Sequence, residues 1–153
     1  MNQNSSSDSD FQYILNELPQ KHPFRFIDQI LELSEEHIVA QYKFKKEEYF
    51  YQGHFPGDPV TPGVILIEAM AQAGLVALGI YLLKKIDPNT RMRTMFSDCE
   101  VEFSRAVYPG ELVKISAKRI FWRRNKLKSN VELRLENGEI AAHGVVSGMG
   151  VII

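Results

Sequence analysis

The chain contains very little cysteine and carries almost no net charge. Its 153 residues include one cysteine, Cys99, which has no second thiol for an internal disulfide. The formal net charge is -1, so no global attraction to nucleic acid or to an anionic membrane is expected. The polar N-terminus lacks the basic and apolar regions of a secretory signal. Together these features predict a protein of a reducing, cytoplasmic compartment.

Several motifs of common catalytic sites are also missing. The sequence has no Gly-rich phosphate loop and no GxSxG nucleophile elbow. Its histidines and its cysteine show no spacing typical of a metal site. We therefore expect no metal, no cofactor, no nucleotide binding and no acyl-enzyme chemistry.

One long apolar run stands out, over residues 64–83. Its length would suit a membrane span. However, Glu68 and Gln72 lie inside it, an ionised carboxylate is costly in lipid, and no second apolar run could pack against it. A helix buried on all sides in a water-soluble core fits the same pattern.

The remaining pattern predicts one domain over residues 11–153, after a polar, disordered tail over residues 1–10. Thr61 suits a helix N-cap and Pro62 the first helical position. The long helix should thus cover residues 62–86, roughly 36 Å at 1.5 Å per residue. Asn137-Gly138 favours a type I′ turn. The other predicted elements are a short helix over residues 11–18 and strands over residues 24–33, 36–45, 91–103, 112–122, 127–135 and 140–149.

These elements make an α+β domain in which an antiparallel sheet wraps one long helix. Residues 53–63, which lead into the helix, hold three of the seven prolines, and these prolines stiffen the backbone between His54 and the helix. A histidine here can act as a general base. A purely structural loop histidine is the alternative on position alone.

Glu68 is surrounded in sequence by apolar residues, so we expect it to be removed from bulk water. Desolvation raises the pKa of a carboxyl, which then holds the proton that a general acid needs. The alternative is a buried ion pair with Arg93 or Arg105. Gln72 lies on the same helix face and can orient Glu68, although a structural amide explains it equally well.

Two further features are candidates for binding. Gly63, in the first helical turn, offers a backbone N–H without an intrahelical acceptor, and no side chain blocks a substrate oxygen. Packing alone could also explain this glycine. Basic residues crowd the end of one predicted hairpin around Trp122. They form either a solvated tip or a docking patch for an acidic partner, and RNA binding is a poorer interpretation. The proposed docking residues are Arg119, Arg123, Arg124 and Lys126.

Four segments together resemble a known family. They read LPQKHPF at residues 18–24, GHFPGDPVTPGV at 53–64, EAMAQ at 68–72 and VEFSRAVYPGE at 101–111. These segments are similar to those of the (3R)-hydroxyacyl-[acyl carrier protein] dehydratases of fatty acid synthesis. The sequence departs from the family at Thr61, where methionine is common, in Ser104-Arg105-Ala106, which replaces a more basic run, and in its last seven residues.

The resemblance implies a hot-dog fold, a homodimer with shared active sites and an acyl carrier protein as partner. A trimer of such dimers is an alternative assembly. It implies that His54 takes the C2 proton and that Glu68 of the other chain protonates the departing hydroxyl. Gly63 N–H would bind the thioester carbonyl, the Val60 carbonyl would orient His54, and Gln72 would hold Glu68. Glutamate at position 68 resembles the FabZ-type enzymes, whereas FabA-type enzymes carry aspartate there.

Two other functions remain open on the sequence. A hot-dog thioesterase would use the helix carboxylate to activate water. A non-catalytic acyl-binding module would keep the fold without the chemistry.

Overall fold

The computed structural model describes residues 7–153, so the predicted tail lies outside the described residues up to position 6. The first helix, α1 (Asp8–Glu17), begins three residues earlier than predicted. The Asp10 carboxylate accepts the Ser7 backbone N–H at 3.2 Å, which satisfies a donor that the helix itself leaves free. Lys84 pairs with the same carboxylate at 3.0 Å and ties α1 to the long helix.

The strands form one six-stranded antiparallel sheet with the order β1-β2-β4-β5-β6-β3. The first hairpin is confirmed, although its first strand is shorter than predicted because residues 24–28 run as loop. The unassigned last seven residues mostly extend the final strand and pair with the start of β3. The strands are β1 (Gln29–Leu33), β2 (His37–Lys43), β3 (Met92–Phe103), β4 (Leu112–Arg123), β5 (Lys126–Leu135) and β6 (Ile140–Ile152).

The long helix, α2 (Gly63–Ile86), is confirmed within one residue at its start and ends where predicted. Pro62, not Thr61, occupies the N-cap position. The prediction of Thr61 as the cap is wrong because its hydroxyl is engaged elsewhere, by Tyr51. By length and composition α2 could cross a membrane, but 67% of its most apolar window is buried inside the protein. It is therefore the core helix that the sheet wraps, as in a soluble domain.

The middle of α2, Gln72–Ala77, widens into a π-helix, which the sequence did not predict. Here the helix comes closest to the sheet. A Cβ on Gly74 would lie 2.9 Å from Val131 and 3.0 Å from Ala117, so only glycine fits. The Ser129 hydroxyl donates to the Gly74 carbonyl at 2.7 Å in this buried contact. The hydroxyl thus satisfies a carbonyl oxygen in the widened segment.

Two hairpin ends differ from the sequence expectation. A type I′ turn needs positive φ at both central residues, and that condition is met at Arg124 and Asn125, with φ of 51° and 62°. At the predicted site only Gly138 has positive φ, 89°. Its N–H donates to the Leu135 carbonyl at 2.9 Å, as in a type I turn followed by a glycine bulge. The type I′ prediction at Asn137-Gly138 is therefore wrong.

Strand β3 is an edge of the sheet and stays largely exposed along its twelve residues. Several of its large apolar side chains face solvent, among them Met95 at 54% and Phe103 at 50% exposure. A long edge strand with apolar side chains is a template for pairing with another chain.

The Ser129 contact makes a prediction about stability. Ser129→Ala leaves the buried Gly74 carbonyl without its donor, so we expect the free energy of unfolding to fall by about 1 to 3 kcal/mol. Chemical denaturation measures this change. Ser116→Ala, at a half-buried position on the neighbouring strand β4, is the control and should change stability by less than about 0.5 kcal/mol. Equal effects of the two changes would contradict the assigned role.

Candidate active site

His54 lies in the tight loop between a 3-10 turn, Tyr49–Gln52, and helix α2. The loop closes on itself through backbone hydrogen bonds. The Val60 N–H donates to the His54 carbonyl at 2.9 Å, and the Asp58 N–H donates to the Phe55 carbonyl at 2.9 Å. The loop therefore holds His54 and Val60 opposite each other.

Within the part of the chain that the structure describes, the imidazole makes one hydrogen bond, between Nδ1 and the Val60 carbonyl oxygen, at 2.8 Å. A carbonyl can only accept, so Nδ1 carries a proton, and in the neutral ring the lone pair is on Nε2. The ring also stacks on Phe55, with centroids 4.1 Å apart. His54 is half-buried, and its basic nitrogen is free of the loop.

Gln72 is fully buried and connects helix α2 to the segment before β1. Its Nε2 donates to the Phe24 carbonyl at 2.9 Å and to Glu68 Oε1 at 3.0 Å. Its Oε1 accepts the Phe26 N–H at 2.8 Å. Three bonds in different directions leave the amide one orientation, and this orientation presents a donor to Glu68.

Glu68 is half-buried, and within the part of the chain that the structure describes it forms no ion pair. Arg105, one of its predicted alternative partners, instead binds Glu139. Burial raises the pKa of the Glu68 carboxyl above its ordinary value, and the hydrogen bond from Gln72 opposes part of that change. The carboxyl thus tends to keep its proton, while Gln72 occupies only one of its two oxygens.

Gly63 is the first residue of α2, at the positive end of the helix dipole. An open groove lies beside it, and the Phe103 ring packs so closely that a Cβ on Gly63 would meet Cζ at 3.0 Å. The groove brings the helix start next to the loop after β3. Its lining residues include Thr61, Gly63, Leu66, Phe103, Arg105 and Val107.

Two polar clusters result: His54 with Val60, and Glu68 with Gln72. Among residues 7–153 no hydrogen bond joins one cluster to the other. A single chain therefore holds the His54 imidazole and the Glu68 carboxyl in two separately fixed positions.

The predicted docking residues differ in how far they are already engaged. Arg119 pairs with Glu36 at 2.6 Å, and Lys126 lies 3.8 Å from Asp98. Arg123 and Arg124 are exposed at the β4–β5 turn. Trp122 packs against the core, so it offers no exposed platform for a base.

The sequence did not reveal three contacts around the site. Gln72 binds backbone groups of residues 24 and 26, and the side-chain types at these positions do not indicate that their backbone is a partner of Gln72. The Tyr51–Thr61 hydrogen bond joins residues that the sequence separates by the whole loop. Phe103, which covers Gly63, was assigned to a strand and to a segment of the resemblance, without a contact to Gly63. The LPQKHPF segment marked the first of these regions, but only as part of a resemblance.

Comparison with known proteins places this geometry in a family. Residues 18–143 match the model of the FabA-like domain. A 3-hydroxyacyl-[acyl-carrier-protein] dehydratase FabZ of Oenococcus oeni is 40% identical over 116 residues, 74% of this chain and 76% of the relative. The FabZ of Streptococcus pyogenes is 34% identical over 139 residues, 90% of this chain and 96% of the relative.

Solved structures share the fold at lower identity. The dehydratase heterocomplex ApeI:P of Xenorhabdus doucetiae superposes with a TM-score of 0.75 at 18% identity, covering 90% of both chains. A thioesterase of Haemophilus influenzae gives 0.60 at 18% identity, over 81% of this chain and 78% of the other. The α+β hot-dog fold is therefore confirmed. By the extent of its sequence match, the chain belongs to the FabA-like domain family, among its FabZ-type members.

Proposed function

We propose that the chain dehydrates (3R)-hydroxyacyl thioesters on acyl carrier protein to trans-2-enoyl thioesters in fatty acid biosynthesis. The observation that carries this proposal is that one chain holds two groups suited to proton transfer. One is His54, whose Nδ1 is held by Val60 so that Nε2 can accept a proton, and the other is the Glu68 carboxyl, whose pKa is raised by burial. Its FabZ relatives, at 34 to 40% identity, are named for this reaction. We expect the protein to act in the cytoplasm.

The reaction follows from these groups. His54 Nε2 takes the C2 proton, and the electron pair forms the C2–C3 double bond as the C3–O bond breaks. Glu68 gives its proton to the departing hydroxyl, which leaves as water. The Gly63 N–H at the positive helix end stabilises the charge on the thioester oxygen. Proton exchange with solvent then restores neutral His54 and protonated Glu68, so no cofactor is needed.

A homodimer would bring the two polar clusters together. Its support is the edge strand β3, which has no strand partner on its outer side and carries exposed apolar side chains that a second copy would cover. His54 of one chain would then meet Glu68 of the other. An assembly of three such dimers stays a prediction from the resemblance.

The rival function is thioester hydrolysis, which neighbours of the same fold represent. A thioesterase would release free thiol from a saturated acyl thioester. The dehydratase would instead produce the enoyl absorbance from a 3-hydroxyacyl thioester without releasing thiol. An acyl-binding module would do neither.

Two inactive variants provide the first test. His54→Ala removes the base and Glu68→Gln removes the acid, so each should lower kcat at least about 100-fold, as expected for general acid–base groups. Turnover of a 3-hydroxyacyl thioester measures the loss. Wild-type rates in both variants would overturn the proposed reaction.

Mixing the two variants tests the shared site. After subunit exchange half of the dimers are mixed, and each mixed dimer holds one intact site, so activity should return to about a quarter of the wild-type value. A double variant, His54→Ala with Glu68→Gln in one chain, mixed with wild type is the control and creates no new intact site. If the inactive variants stay inactive when mixed and exchange is demonstrated, each site lies within one chain.

The raised pKa of Glu68 makes a prediction about stability and pH. A carboxyl whose pKa is higher in the folded than in the unfolded protein stabilises the fold at pH values below the unfolded pKa, here 4.5. This stabilisation is lost as the pH rises through the folded pKa. From pH 5 to pH 8, wild type should therefore lose stability relative to Glu68→Gln. Thermal unfolding at several pH values measures the difference.

Asp10→Asn is the control for this series. The Lys84 hydrogen bond lowers the pKa of Asp10, so the stability that the Asp10 carboxylate contributes is lost only under more acidic conditions. The difference in stability between wild type and Asp10→Asn should therefore not change from pH 5 to pH 8. A flat difference for Glu68→Gln as well would contradict the desolvated carboxyl.

We expect the acidic carrier to dock at the β4–β5 turn, through Arg123 and Arg124 together with Arg119 and Lys126. Arg123→Glu with Arg124→Glu should raise KM about tenfold for a carrier-linked substrate and leave KM unchanged for an N-acetylcysteamine thioester. Lys43→Glu with Lys114→Glu, exposed on neighbouring strands of the same sheet, carries the same charge change as a control. Equal effects of both pairs would exclude a local docking patch.

A further inference from the structure

A second hydrogen bond, between side chains at the two ends, closes the loop that carries His54. Beyond the His54–Val60 pair, the Tyr51 hydroxyl lies 2.6 Å from Thr61 Oγ1. Both residues are buried, at 6% and 4% exposure. Tyr51 is the buried residue of the 3-10 turn before the loop, and Thr61 lies at the end of the loop. The hydroxyl pair therefore joins the two ends of the loop.

Thr61 is also held through its backbone. Its N–H donates to the Val107 carbonyl at 2.8 Å. This N–H and the Val60 carbonyl belong to the same peptide unit, which is planar. Fixing the N–H on one side and the Thr61 side chain on the other therefore fixes the direction of the carbonyl. That carbonyl is the one that His54 Nδ1 contacts.

The chemistry of the pair suits a positioning role. Burial raises the pKa of Tyr51 to about 12, although its hydrogen bond to Thr61 acts in the opposite direction. The phenol thus keeps its proton at neutral pH and can serve as a donor. A hydrogen bond between two hydroxyls sets both distance and angle, whereas apolar side chains at these positions would exclude water without setting a direction.

We propose that Tyr51 and Thr61 are positioning residues for the base: their hydroxyl pair holds the Val60–Thr61 peptide so that its carbonyl keeps His54 in the Nδ1–H tautomer. Nε2 then stays available to accept a proton. Neither hydroxyl needs to contact the substrate for this role. The inference rests on the proposed function for its effect on rate, but the effect on the tautomer does not depend on it.

The test removes each hydroxyl with little change in shape. In Thr61→Val and in Tyr51→Phe, we expect the share of His54 in the Nδ1–H tautomer to fall, as read from nitrogen-15 NMR of the imidazole in the folded protein. Dehydratase kcat should fall about tenfold while KM stays within about twofold of wild type. A tenfold fall in rate corresponds to a rise in the activation barrier of the size that the loss of one weak hydrogen bond can cause. The fall in kcat in the double variant should be no larger than in either single variant, because both hydroxyls act through the same hydrogen bond.

Two variants serve as controls. Thr61→Ser keeps the hydroxyl and should restore both the tautomer and kcat. Tyr42→Phe removes another buried tyrosine hydroxyl, which donates to Glu48 at 2.7 Å, and should leave the His54 tautomer and kcat as in wild type. It thereby separates a loss of core hydrogen bonding in general from a loss at this loop.

The outcomes distinguish the two proposals. A wild-type tautomer in folded Thr61→Val and Tyr51→Phe overturns the positioning role, whatever happens to stability or rate. A shifted tautomer supports it, even if the wild-type protein dehydrates no 3-hydroxyacyl thioester, in which case only the proposed function fails. A shifted tautomer with an equal shift in Tyr42→Phe also overturns the role, because the effect would not be specific to the hydroxyl pair.

Discussion

The closest approach of the long helix to the sheet governs the rest of this structure. At Gly74 the helix backbone comes so near to Val131 and Ala117 that no side chain fits between them. Ser129 compensates by donating to the helix carbonyl at that point. Because the contact fixes both the depth and the rotation of the helix, it determines which residues point into the sheet and which are left at its margin. Gln72 and Glu68, which lie before Gly74 on the same helix, take their directions from it.

The site is assembled from groups that are held by backbone atoms more than by other side chains. The Val60 carbonyl holds His54, and the backbone of Phe24 and Phe26 holds Gln72, which in turn contacts Glu68. Backbone groups have fixed positions once the fold has formed, so they orient side chains at little further entropic cost. The proposed reaction depends on such fixed orientation, because in it the protein's own groups make each proton transfer.

Most of the architecture could be predicted from the sequence, and the reasons are specific. The apolar run and the Lys84-Lys85-Ile86-Asp87-Pro88 end determined the long helix, and alternation determined the strands. The cap at Thr61 and the turn at Asn137-Gly138 were mispredicted because other bonds overrode the local preferences. The Thr61 hydroxyl binds Tyr51, and the β5–β6 turn closes through bonds between Leu135 and residues 138 and 139, with only Gly138 at positive φ. The π segment and the Gln72 contacts arise from packing between distant segments, which local patterns do not encode.

The exposed strand β3 also affects the protein while it is a single chain. One side of β3 pairs with β6, and its other side presents backbone groups without a strand partner, together with several large apolar side chains. The same surface that favours specific pairing with a copy also favours uncontrolled association with any unfolded chain nearby. If the proposed homodimer covers β3, folding and assembly are coupled, because pairing with a second copy removes the surface that would otherwise associate with unfolded chains.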